Sequence, residues 1–570
     1  MRSTLRAIWR LVPDPFSKPR MNGEFLMLRI ASVTGVVLAA CIVLASAASA
    51  QSPVTACESV QRSESGKSDR TFLGLKECYS CHTNGFPKDG FGDRFGIMAN
   101  DSWILANEVK TWGETDKHAQ AYTSLLSATG VKIGTAMGVA GGIHRDKRCL
   151  ACHTGFPIAD LETETGQIHG LIDEHKYKED MRLTTGVSCE SCHGQAGGVQ
   201  GWLAAHTSKE SWRFLAAERK CEKGFYDVRS VISRTRLCLS CHLGNAAQGR
   251  VLTHEMYAAG HPPLPAFEIE TFENQMPRHW RHLSEKAELQ DEFLDKTGLN
   301  SNPAELQRTK SLLIAALVSR SESLRLTADM AEGAVSEQIP KPQWPDFAQF
   351  DCYACHHDLK TDSWRRTAQH SGSPGRPVLL PWPKALAQLA AIGLTDAGEA
   401  ERDFAAVRSA TLMSPFGDRE KLIEAARASA DSTHQLAVAL DRQEMTIQGA
   451  TTLLEQIVEM AAIETLDYDS ARQLVWAFTV VQEELKPRAE NATASPLLTE
   501  ELASVKDMFV LSLKDGRQEE HQIPGAIQKR PVKEVDLQAI LPPIASYDAI
   551  AFQKAFAELR QRLGKGVSDQ

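Results

Sequence analysis

Cys189-Glu190-Ser191-Cys192-His193 is one of five stretches in this chain built to the same formula. The others are Cys78-Tyr79-Ser80-Cys81-His82, Cys149-Leu150-Ala151-Cys152-His153, Cys238-Leu239-Ser240-Cys241-His242 and Cys352-Tyr353-Ala354-Cys355-His356. Thiols three residues apart lie on one side of a helical turn. From there both can reach one flat macrocycle and bond to it, while the next histidine is held beneath its centre. This is the signature of covalent c-type haem attachment, with the histidine as proximal iron ligand. The motifs therefore predict five covalently attached haems c.

Chance does not explain the pattern: thirteen cysteines and eighteen histidines among 570 residues would give only ~0.01 such motifs. Zinc also takes paired cysteines, but a zinc site needs no histidine directly after every second one. Thioredoxin-like redox pairs do not recur five times in one chain. Of the remaining cysteines, Cys41 falls in the leader. Cys57 and Cys221 are left either to form a disulfide or to stay as two buried thiols.

The sixth position of each iron separates a wire from a catalyst. Nine further histidines lie between the first motif and the last: His118, His144, His169, His175, His206, His254, His261, His279 and His282. That is enough for every iron to take two. Local context favours His118 in a helical stretch, His206 one turn after Trp202, His254 and His261 flanking one short segment, and His144 five residues before Cys149. Each has the alternative of a solvated or core histidine. Met98 and Met256 are methionine alternatives that would raise the potential. No CxxCK motif occurs.

Hydrophobic residues make up 42% of the chain and charged residues 24%, as in ordinary globular proteins. Frequent Ala, Leu, Glu and Gln lean towards helix, so the fold class is mainly α with little β. The formal charge is −9, and residues 1–50 hold six basic residues against two acidic ones, so the remainder is more acidic still. This argues against nucleic acid and for a basic redox partner steered by opposite charge. In the leader, Arg29 precedes a long uncharged run that ends in Ala48-Ser49-Ala50. That reads as a signal peptide cleaved after Ala50, hence a periplasmic or otherwise exported protein. Met21 or Met27 is an alternative start. A lipoprotein-like Leu38-Ala39-Ala40-Cys41 box, or an uncleaved run long enough to span, would instead leave a membrane tether.

The run from about Thr71 to Pro383 resembles the multihaem cytochromes c related to cytochrome c-554, especially a pentahaem branch. The stretches that carry the resemblance are DKHAQAYTSL, KRCLACH, GVSCESCHG, RLCLSCHLGN, THEMYAAGHPPLPAFEIETF, MPRHW and WPDFAQFDCYACHHDL, with SWRR after it. They cover over half the chain in the expected order. The resemblance implies a mostly helical fold with haems stacked in close pairs. It also implies distal ligation by His118, His206, His254 and His261, with His144 a weaker match. His357 is a candidate to hydrogen-bond a haem propionate. The departures are the fifth haem with its helical insert and a large haem-free C-terminal region.

Four segments follow: a leader at 1–50, a tetrahaem domain at 51–282, a helical insert with the fifth haem at 283–383, and a C-terminal helical bundle at 384–570. The first four motifs start 71, 40 and 49 residues apart, too close for independent hydrophobic cores. In the insert, Asn302, Pro303 and Glu305 predict a helix start, followed by a stripe of Leu306, Leu313, Leu317, Leu324 and Met330. This helix is expected as an arm between haems four and five. Gly372 to Pro377 marks the next boundary. Beyond it, Leu453, Leu454, Ile457, Val458 and Ala461 form one helical face, and Leu474, Val475, Phe478 and Val481 form another, ended by Pro487. The bundle is expected to cover the haem core or dock a partner.

These readings favour an electron carrier between redox protein partners. The alternatives are an oxidoreductase acting on a small nitrogen or sulfur compound at one five-coordinate haem, and a structural subunit of a larger respiratory complex. No sequence feature singles out an open iron with nearby acids or bases.

Overall fold

The computed structural model describes residues 70–83, 103–156, 184–199, 201–207, 212–282, 306–335, 344–352, 378–392, 397–413, 417–486 and 546–568, with short pieces between. The leader, the Asn302–Glu305 helix start, the Gly372 boundary, His357 and Pro487 lie outside the described residues. Among those described, no helix is long and apolar enough to cross a membrane.

The chain is mainly α. Strand β1 (Arg70–Thr71) leads into helices α1 (Leu75–His82), α2 (Glu108–Thr115), α3 (Ala121–Ser124), α4 (Ala128–Ala136), α5 (Lys147–His153) and α6 (Cys189–His193). Strand β2 (Gly197–Gly198) precedes α7 (Leu203–His206), α8 (Ala217–Cys221), α9 (Val231–His242), α10 (His254–Ala258), α11 (Ile269–Gln275), α12 (Gln290–Thr297) and α13 (Gln307–Glu332). Then come α14 (Trp382–Ala391), α15 (Ala397–Leu412), α16 (Arg419–Asp441), α17 (Ile447–Ile463), α18 (Tyr468–Leu485), strands β3 (Asp515–His521) and β4 (Arg530–Val535), and α19 (Ala549–Ser568).

The helices of the motif-bearing half are short, and their ends are set by polar caps rather than by length. Asp146 receives the Arg148 amide at the start of α5, Ser230 the Ser233 amide at α9, and Thr253 the Met256 amide at α10. Between them sit small apolar clusters. Phe72, Tyr122, Leu125, Ile133, Ile143, Leu150, Ala151 and Phe156 form one; Trp202, Trp212 and Ala196 form another. Cys221 is buried and disulfide-bonded; Cys57, read from sequence as either its partner or a second free thiol, lies outside the described residues.

Helix α13 runs through the middle of the other half. It packs on α9, α11, α14, α16 and α18, and residues from Thr309 to Ala331 are buried around most of its circumference, not along a single stripe. It is therefore a central spine rather than an arm. Its buried polar groups are satisfied locally or by neighbours: Ser319 donates to the Ala315 carbonyl and Ser321 to the Ala430 carbonyl. The first turn is capped from outside, because Glu484 of α18 accepts the amides of Arg308 (2.9 Å) and Thr309 (2.7 Å). The two C-terminal faces read from sequence are buried, with Leu454 at the half-buried edge. The β3–β4 hairpin, which pairs Glu519 with Val532 and His521 with Arg530, adds sheet to a region expected to be wholly helical.

Helix α18 also covers the motif-bearing half. Gln473 donates to the Phe267 carbonyl at 2.9 Å, and Trp476 meets Phe272 edge-on at 6.2 Å. Arg236 of α9 reaches Glu322 of α13 at 2.8 Å and His434 of α16 at 3.3 Å.

Candidate haem sites

Each of the first four motifs closes its helix, so that the histidine ends α1, α5, α6 and α9. The fifth makes a single turn in which the His356 amide donates to the Cys352 carbonyl at 2.8 Å. All ten motif cysteines are free thiols. Sites 1 to 5 below follow motif order.

A second histidine faces the proximal one at three sites and lies within electrostatic reach of it at the other two. His206 faces His82 with ring centroids 6.2 Å apart and planes 19° from parallel. His118 faces His242 at 6.2 Å with planes 89° apart. His254 faces His356 at 6.2 Å and 29°. Two imidazoles that share one metal, each nitrogen about 2 Å from it, have centroids about 6 Å apart. His261 lies by His153, whose charge adds to burial in pushing the His261 pKa down to about 4. His279 stands in the same relation to His193, which burial and then His279 also push down to about 4. His206 and His242 fall to about 4 chiefly through burial. A buried neutral imidazole is the form a metal requires, so the residues present fit the group their motifs imply.

Of the five distal positions read from sequence, His118, His206 and His254 face a proximal histidine, and His261 lies within electrostatic reach of one. The fifth, His144, is half-buried. It sits in the Ile143–Arg145 turn, its ring folded back over Gly142, whose φ of 93° has no room for a side chain. His279, which lies in an irregular segment just past α11 and which helix patterns could not single out, is the histidine within electrostatic reach of His193. MPRHW, one of the resembling stretches, was the only signal.

The other ring nitrogens are held differently from site to site. At site 1, His82 Nδ1 is 2.9 Å from Glu108 Oε2. At site 4, His118 Nδ1 is 3.0 Å from Asp116 Oδ1. Burial alone would lower both histidines, yet the carboxylates hold both above the ordinary value. At site 2 the acceptors are backbone carbonyls: Ala121 for His153 at 2.6 Å and Pro262 for His261 at 2.8 Å. Tethering Nδ1 in this way leaves Nε2 for a metal. The Nδ1 atoms of His193 and His206 are buried without a hydrogen-bond partner.

Two buried charges tie the motifs together. Glu190, inside the third motif, accepts the amides of Leu73 (3.1 Å) and Gly74 (2.6 Å) at the start of α1, and that of Ala196 (2.8 Å). Arg250 donates to the Ala151 carbonyl of the second motif at 3.0 Å and to Ser240 Oγ of the fourth. The thiols follow the same links. The Cys78 thiol lies within hydrogen-bond reach of Cys189, and that of Cys152 within reach of Cys241. Cys192 also lies close enough to Cys238 and Cys241 for their charges to interact. His254 and His261, at the two ends of one short segment, serve sites 5 and 2. The links therefore run in the spatial order 1, 3, 4, 2, 5, with a further contact between 3 and 2, where Ser191 donates to the Thr154 carbonyl at 3.0 Å.

Among the described residues, no group of three or more His, Cys, Asp or Glu converges as a tetrahedral zinc centre would require. Comparison with curated proteins and with solved structures found no match. Residues 106–194, which hold His118, the second and third motifs, Glu108 and Asp116, match the family model described as cytochrome c554 and c-prime. Over that stretch the chain is similar to cytochrome c554 and c-prime, and the likeness supports covalently bound c-type haem iron and a haem-based role in electron transfer.

Proposed function

We propose that the chain is an exported pentahaem c-type cytochrome that relays electrons between redox proteins, with every iron held by two histidines. The observation that carries this reading is the set of paired histidines: three proximal residues face a second imidazole at 6.2 Å, and the other two have one within electrostatic reach. An enzyme acting at an open iron would need one position left free and an acid or base aimed at it. When bound, each haem supplies a one-electron couple.

The chain's own residues hold and insulate. The thiol pairs anchor, the imidazoles ligate, and aromatic rings keep water from them. Trp202 and Trp212 lie 5.4 and 5.6 Å from His206; Phe272 and Phe267 lie 5.3 and 6.1 Å from His242. Sites 2, 3 and 4 sit in the middle of the spatial order, whereas Cys352 and Cys355 of site 5 are exposed. That end is where a redox partner would approach, and the acidic balance of the chain favours a basic one.

Mass spectrometry of protein matured in a host that makes c-type haem should show five added haem masses. Electron paramagnetic resonance of the oxidised protein should show low-spin iron alone. A high-spin signal equal to one iron per chain would overturn the carrier reading in favour of the oxidoreductase.

A further inference from the structure

We propose that Glu108 and Asp116 are positioning residues that set sites 1 and 4 at lower reduction potential than site 2, by placing an anionic acceptor behind one imidazole of each. The proposal rests on the five-site reading above.

The geometry lies at the two ends of α2. Glu108 is its first residue, and the side chain is fixed at both oxygens: Oε1 accepts the Leu105 amide at 2.8 Å and Oε2 meets His82 Nδ1 at 2.9 Å. Asp116 is the residue that ends the helix. Its Oδ1 lies 2.9 Å from the His118 amide and 3.0 Å from His118 Nδ1. The Asp116 side chain is 4% exposed and that of Glu108 17%, so neither charge is lost in bulk water. Site 2 has only neutral partners: the two carbonyls, and Ser124 Oγ at 3.2 Å from His153 Nδ1.

An anionic acceptor draws the Nδ1 proton and makes the opposite nitrogen a stronger donor, which favours the more oxidised metal. A fixed negative charge near a buried centre acts in the same direction. Charge-assisted hydrogen bonds are roughly twice as strong as neutral ones, so carbonyls do this more weakly.

Asp116→Asn is the discriminating variant, because the amide oxygen can keep both contacts of Oδ1 while the charge is removed. Spectroelectrochemical titration of the full haem-loaded protein should show one midpoint rising by about tenfold in its reduction equilibrium, ~59 mV for a one-electron couple. The other midpoints should stay in place and all haems should remain low-spin. Glu108→Gln should raise a different midpoint, and Ser124→Ala should raise none. Unmoved midpoints in both carboxylate variants would overturn the proposal. So would loss of a haem from both, which would make the carboxylates structural braces only. A high-spin iron in the wild type would instead overturn the ligation reading, before any variant is compared.

Discussion

At the scale of single side chains, the difference among the sites lies in the ring nitrogen that faces away from the metal position. It meets a carboxylate at sites 1 and 4 and a carbonyl at site 2, and it is unpartnered in His193 and His206. The motifs place the proximal histidines from sequence alone, because covalent spacing fixes them. Distal histidines are placed by tertiary contact, so the sequence could offer only a surplus of them. His118, His206, His254 and His261 could be picked out by their helical or aromatic neighbours. His279 could not, because it lies outside any helix and follows Pro277. A direct comparison follows. His279→Ala should convert one low-spin iron to high-spin in electron paramagnetic resonance, whereas His144→Ala should leave the spectrum unchanged. The opposite pattern would return His144 to the ligand set. Glu108 left no sequence signal at all, since its role depends on a partner 26 residues away.

At the scale of elements, what was legible is what repeats along one helix. The stripe from Leu306 to Met330 and the faces around Ile457 and Phe478 are all buried. What the stripe could not show is that the rest of α13 is buried too. Ser311, Ser319, Ser321 and Thr327 are small enough to be enclosed and can bond within the helix or to a neighbour, so a polar pattern does not mark a wet face here. The β3–β4 hairpin was missed for a similar reason: strands such as DGRQEEH carry no apolar alternation. The cap on α13 comes from Glu484, far along the chain, and the helix begins at Gln307. Glu484→Gln keeps the side chain's size but weakens its grip on the two amides. Urea unfolding should show a loss of about 1 kcal/mol. No loss would mean that packing alone seats the start of the spine.

At the scale of the whole molecule, the seam between the motif-bearing helices and the C-terminal helices carries buried charge. Glu270 of α11 sits there, 3.3 Å from Arg308. Burial, then the neighbouring Glu268 and Glu273, raise its pKa from 4.5 to about 8, outweighing Arg308 and Arg234. A carboxyl with a raised folded pKa favours the folded state while protonated. Its contribution is fully present below about 4.5 and is lost as pH rises through about 8. Glu270→Gln should therefore flatten the fall in thermal stability between those limits. An unchanged slope would assign the pH dependence to other groups.

The spatial order of the sites differs from their order along the polypeptide, and this bears on biosynthesis. A chain growing from its N-terminus presents the attachment motifs as 1, 2, 3, 4, 5, while in the folded molecule 1 meets 3, 3 meets both 4 and 2, 4 meets 2, and 2 leads to 5. The second motif needs no fourth motif to meet a neighbour, because Ser191 of the third donates at 3.0 Å to the Thr154 carbonyl just after the second. The fourth motif adds links through Cys241 to Cys152 and through Cys238 to Cys192, so a product that ends before it keeps three motifs in contact but lacks the ring of His242 that faces His118.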